Sequence, residues 1–86
     1  MPERWQVQIH RKVNDVVDAL PREIVTSIRK VIRQLEQNPY PAGRRLVGSF
    51  SDVFEIFVEQ YRIVYEVKED KKLVRVVRIN MAGETE

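Results

Sequence analysis

Residues Val53 to Val67 read Val-Phe-Glu-Ile-Phe-Val-Glu-Gln-Tyr-Arg-Ile-Val-Tyr-Glu-Val, a pattern that leaves little freedom in how the chain can fold. In the first arm Phe54, Ile56 and Val58 point to one side, and Glu55 and Phe57 to the other. In the second arm Tyr61, Ile63, Tyr65 and Val67 share a face, opposite Arg62, Val64 and Glu66. Alternation of this kind, rich in β-branched and aromatic residues, marks two half-buried antiparallel strands joined by a tight turn at Glu59-Gln60. Arg62 stands inside the stronger of the two strands. A guanidinium is always charged and is rarely buried unpaired, so its head must pair with a carboxylate or face an open surface.

The rest of the chain supplies one domain around this hairpin. Its 86 residues suffice for a single core. There is no cysteine and only one histidine, His10, which excludes disulfides and argues against a His/Cys zinc site or a Ser-His-Asp triad. No apolar run approaches the ~20 residues needed to span a bilayer. The N-terminus lacks the apolar core of a signal peptide, because Arg4, His10, Arg11 and Lys12 interrupt it, and a cytoplasmic location is expected. The net charge of +2 is unevenly spread: residues 1–45 carry nine Lys/Arg against five Asp/Glu, and 46–86 carry six against eight. That excess permits an acidic partner such as nucleic acid without demanding one.

Taken in order, Trp5-Gln6-Val7-Gln8-Ile9 alternates and predicts a strand near residues 4–10. Val13, Val16, Val17 and Leu20 fall at helical spacing, giving a short helix over about 11–20 that Pro21 ends. Pro21 and Glu23 suit the start of a second helix. Ile24, Val25, Ile28, Val31, Ile32 and Leu35 form its apolar stripe, and it should stop at Asn38 before Pro39. Pro39 to Gly43 reads as a loop, Arg44 to Gly48 as a short extended stretch, and Ser49 to Asp52 as a turn. After the hairpin, Glu69-Asp70-Lys71 is a turn and Leu73 to Ile79 a last strand. The domain is expected over residues 4–80, with 81–86 a frayed tail.

The order is β-α-α-β-β-β. A helical hairpin must bury its stripe, and a meander of strands offers one apolar face to receive it. The expected fold is therefore a two-layer α+β domain with the helices packed on a mainly antiparallel sheet, whose other face stays partly open.

This order, Leu46-Val47-Gly48 just before the meander, Tyr61-Arg62-Ile63-Val64-Tyr65 within it, and Asn38-Pro39 closing the second helix together resemble the RelE/ParE superfamily of bacterial toxins. The resemblance covers residues ~4–80, nearly the whole chain. It implies the toxin of a type II toxin–antitoxin system, neutralised by a cognate antitoxin protein laid across the sheet and helices. RelE-like members cut messenger RNA on the ribosome as metal-free endoribonucleases, and ParE-like members inhibit DNA gyrase. No cofactor, no metal and no membrane partner is implied, whereas ribosome and mRNA are partners of the RelE-like branch.

Carried over by position, Arg62 matches an arginine that contacts phosphate near the scissile bond, where a guanidinium stabilises developing negative charge. Glu55 resembles a general base toward a 2′-hydroxyl; the alternative for Arg62 and Glu55 is a structural ion pair, with Arg62 held by Glu55 across the two arms or by Glu66. Arg44, Arg45 and Arg78 are the candidate RNA-binding residues, with a solvated basic surface as the alternative for the first two. Arg75 and Arg78 stand three apart, so in a regular strand they face opposite sides and only one can join Arg62. Where RelE-like enzymes usually show basic residues on the strand before the turn, this chain has Glu55 and Phe57. After the last strand it reads Arg78-Ile79-Asn80-Met81-Ala82-Gly83, without the His-Arg or Lys-Arg pair and the tyrosine usual there. Three readings follow: a RelE-like mRNA interferase with a reduced active site, a ParE-like or catalytically silent toxin that binds a protein target such as gyrase, or a domain that only pairs with an antitoxin-like partner and has no toxicity of its own.

Overall fold

The computed structural model describes residues 4–42, 44–45 and 52–82. The chain runs β1 (Gln6–Ile9), α1 (Arg11–Asp18), α2 (Arg22–Gln37), α3 (Pro39–Ala42), β2 (Arg44–Arg45), β3 (Val53–Val58), β4 (Tyr61–Lys68), a 3-10 turn (Glu69–Lys71) and β5 (Leu73–Met81). The five strands form one sheet in the order β1-β5-β4-β3-β2, with β1 parallel to β5 and the other neighbours antiparallel. The Leu46-Val47-Gly48 motif and the turn expected from Ser49 lie outside the described residues.

Local chemistry sets the boundaries. His10 caps α1: its Nδ1 accepts from the Lys12 backbone N–H at 3.2 Å, which gives the lone histidine a structural task. Pro21 occupies the cap position of α2, one residue before the expected start, and Glu23 lies in the first turn where a negative charge suits the helix dipole. The helix ends at Gln37, with the Asn38 N–H bonded to the Gln34 carbonyl at 2.9 Å.

Residues 39–42 form one turn of helix rather than the expected loop. Asn38 Oδ1 accepts from the Tyr40 N–H at 3.1 Å, and Pro39 needs no hydrogen-bond partner at a first helical position. The strand β5 also runs past Ile79, through Asn80 and Met81, because Met81 pairs with Tyr61 and the Ala82 N–H bonds the Gln60 carbonyl at 2.7 Å.

The two helices cover one face of the sheet. Val13 of α1 and Ile28 and Leu35 of α2 are buried against Ile63, Tyr65, Val74 and Val76. Each such aliphatic side chain contributes about 1.5–3 kcal/mol by leaving water. An aromatic chain pins the β1 and α3 end of this layer: Trp5 meets Tyr40, Tyr40 meets Phe54, and Phe54 stacks on Tyr65, with centroids 5.6–5.9 Å apart. Tyr65 is fully buried and donates its hydroxyl to the Pro39 carbonyl at 2.7 Å. Burial pushes its pKa up to about 12. Among the described residues no helix is long and apolar enough to cross a membrane.

Candidate functional site

With the helices on one side, the registers of the strands fix what the opposite face presents. Directly paired residues share a face, and three rows follow. The first is Val53, Glu66, Arg75 and Gln8; the second is Arg44, Glu55, Val64 and Arg78 by register; the third is Phe57, Arg62 and Asn80. This face therefore gathers the hairpin's polar side and the arginines of β5.

The presence of both arginines corrects the parity expected from sequence. Ile63 pairs with Ile79 and Val64 with Arg78, but Tyr65 pairs with Val76, so Val77 is an extra residue in β5. A bulge of this kind inverts the alternation beyond it. Val74 and Val76 before the bulge, and Ile79 after it, all reach the helix-covered core. Arg75 and Arg78, three apart, consequently share the Arg62 face instead of opposing each other.

Arg62 and Glu55 meet as a cross-strand pair, with Nε donating to Glu55 Oε2 at 2.7 Å. The carboxylate side chain is 6% exposed and the guanidinium 27%. An ion pair this well shielded keeps more of its attraction than one in open water. The bond engages one edge of the guanidinium, and the two Nη groups are not part of it. Phe57, beside Arg62, is 53% exposed, unlike its strand neighbours Phe54 and Val58. Asn80, on the other side of Arg62, has a buried Oδ1 with no hydrogen-bond partner among the described residues.

Of the candidate RNA-contacting residues, Arg44 and Arg45 form β2 at the sheet edge, opposite Glu55 and Phe54 respectively. Arg78 stands exposed in the row that also holds Glu55. The structure thus places Arg62, Glu55 and Arg78 on one surface, with Arg44 in register beside them.

A second concavity was not foreseen from sequence. It is a groove of about 550 Å³ between α1, α2 and the sheet, with Ile28, Ile32, Ile63 and Ile79 among its apolar lining and Asp18, Arg22 and Arg29 among its polar lining. Its signal in the sequence is the length of the apolar stripe on α2, which exceeds what the narrower α1 can cover.

Comparison with known proteins places this geometry. Residues 4–85 match the family described as ParE toxin of type II toxin-antitoxin system, parDE. A relative in Methanocaldococcus jannaschii that carries the name toxin RelE1 is 26% identical over 81 residues, spanning 90% of this chain and 89% of its own. The fold is similar to that of the archaeal RelE–RelB complex from Pyrococcus horikoshii, with a TM-score of 0.85 at 22% identity over 95% of this chain and 99% of the other. It is also similar to that of the isolated E. coli RelE toxin, with a TM-score of 0.82 at 20% identity over 95% and 88% of the two chains. The chain has a RelE-like fold and belongs to the family of ParE toxins of type II toxin–antitoxin systems, within the RelE/ParE superfamily.

Proposed function

We propose that this toxin acts on RNA through the open face of its sheet, as a metal-free mRNA interferase with a reduced active site. The observation that carries the reading is the bulge at Val77, which brings Arg75 and Arg78 onto the face of Arg62. Three guanidinium groups on one surface suit a polyanion, since arginine pairs with phosphate in fixed geometry. Arg62 is the catalytic candidate. When a 2′-hydroxyl attacks the adjacent phosphorus and expels the 5′-oxygen, negative charge gathers on the phosphate oxygens, and the Nη groups are placed to stabilise it. Arg44 and Arg78 bind the flanking backbone; Arg45, paired with Phe54, takes a register position on the helix-covered face and does not share that surface.

Glu55 belongs to this site as the partner that orients Arg62. Taking a proton from the 2′-hydroxyl, the role its position suggested, falls to the same carboxylate that holds Nε. The substrate is mRNA held by the ribosome in the cytoplasm. A cognate antitoxin is the protein partner, and the apolar groove between the helices and the sheet suits an amphipathic segment of it.

The second reading, a toxin that binds a protein such as gyrase, is favoured by the family that residues 4–85 match. Induced expression in bacteria of the wild type and Arg62→Ala separates the two. Growth arrest with new mRNA 5′ ends, both lost in the variant, supports the interferase. Arrest without new ends, indifferent to the substitution, moves the activity to a protein target.

A further inference from the structure

The third row of the open face, Phe57, Arg62 and Asn80, is not explained by phosphate binding alone. Phe57 keeps 53% of its surface in water on a strand where its core-facing neighbours are buried or half-buried. It stands outside the aromatic chain that runs from Trp5 to Tyr65. On one side its strand neighbour is Arg62. On the other side β2 pairs with Phe54 and Glu55, and no strand partner of Phe57 stands there among the described residues. The exposed ring thus lies within cross-strand reach of a guanidinium whose Nε is held by Glu55.

We propose that Phe57 is the stacking platform for one nucleobase of a single-stranded RNA, whose phosphate lies on Arg62. This rests on the RNA reading above and adds a base-contacting residue to it. The neighbours of the ring decide between an RNA and a protein occupant. An aromatic anchor of a protein interface sits in an apolar surround that excludes water. Here the row holds an arginine and an asparagine, and the adjoining row includes Glu55 and Arg78. Base stacking needs only an exposed π-face with a cation for the backbone, which this corner of the sheet provides. Asn80 completes the row with an acceptor that lacks a donor among the described residues. That Oδ1 is sealed from solvent, so the base contact is carried by the exposed ring and the guanidinium and not by Asn80.

The test is fluorescence anisotropy of a short 5′-labelled single-stranded RNA with purified wild-type toxin, Phe57→Leu, Phe57→Trp and Arg62→Ala. The expected loss of affinity in Phe57→Leu is roughly tenfold, because the smaller aliphatic side chain has no π-face to stack on a base. Phe57→Trp keeps the affinity and adds a tryptophan emission that RNA quenches. Thermal unfolding of Phe57→Leu stays at the wild-type midpoint, which separates the loss from misfolding.

Wild-type affinity in Phe57→Leu alongside weakened binding in Arg62→Ala overturns the stacking role and leaves the RNA face standing. No binding by the wild type overturns the stacking role as proposed, while cleavage on programmed ribosomes decides separately whether the RNA face stands. Unchanged RNA affinity in Phe57→Leu with loss of growth arrest assigns the ring to a protein interface and overturns the proposal.

Discussion

Replacing Tyr65 by phenylalanine tests how the helical layer is tied to the sheet. The hydroxyl is fully buried and donates to the Pro39 carbonyl at 2.7 Å, bridging β4 to the start of α3. Tyr65→Phe keeps the ring and its stacking on Phe54 but removes the donor and leaves the carbonyl without this partner. A hydrogen bond lost together with a stranded buried acceptor costs about 1.5 kcal/mol at neutral pH.

The same residue gives an alkaline signature. Its pKa is raised from 10.0 to about 12 by burial, so the folded state holds the proton more tightly than the unfolded chain. The stability tied to that proton is fully present below pH ~10 and is lost as pH rises toward 12, up to about 2.7 kcal/mol in all. Half of it, about 1.4 kcal/mol, is gone at pH ~11. Phenylalanine does not titrate. The wild type should therefore lead the variant by about 1.5 kcal/mol at pH 7 and be level with it near pH ~11. Urea unfolding of both proteins across this range measures the gap directly. A gap that stays constant with pH, or a variant as stable as the wild type at pH 7, refutes the reasoning.

Three further outcomes follow from particular backbone and side-chain positions. Glu59 holds a φ of 55° in the β3–β4 turn, so Glu59→Gly should raise unfolding stability by about 0.5–1 kcal/mol in urea. Deleting Val77 leaves Val76 and Arg78 as successive residues opposite Tyr65 and Val64, so Arg78 stays outward and Ile79 inward and the variant should still unfold cooperatively in a thermal melt; inserting an alanine after Arg78 instead turns Ile79 outward and should cost on the order of 3 kcal/mol or more. Leu35→Ala empties a fully buried site against the sheet and should lower stability by about 2–5 kcal/mol in the same urea assay.

Much of the architecture is legible in local pattern. The alternation of Val53 to Val67 dictates the hairpin, and the α2 stripe from Ile24 to Leu35 dictates which face of that sheet is covered. The pairing of Glu55 with Arg62 is also readable, since the two-residue turn at Glu59-Gln60 sets them on opposing arms. The short helix at Pro39 was legible too, as an asparagine cap followed by proline, but proline's power to end a helix hid its power to begin one.

The bulge is different. Nothing in Val74-Arg-Val-Val-Arg-Ile announces an extra residue by composition, because valine suits either side of a strand; only the demand that Val76 and Ile79 both reach the core reveals it. That one residue changes the reading of Arg75 and Arg78 from opposed charges to a shared surface. The parallel pairing of β1 with β5 is likewise a long-range choice, made by which sheet edge the helices leave available.

Purified wild-type toxin and Arg62→Lys, each added to ribosomes programmed with a defined mRNA, test most directly whether the arginine face acts on RNA. Lysine keeps the charge but loses the fork that spans a phosphate. The account predicts cleavage of the mRNA in the ribosomal A site by the wild type, and a rate at least ~100-fold lower for the lysine variant, as for the loss of an oriented donor at a developing charge. Equal cleavage by both proteins, or none by the wild type, would contradict it.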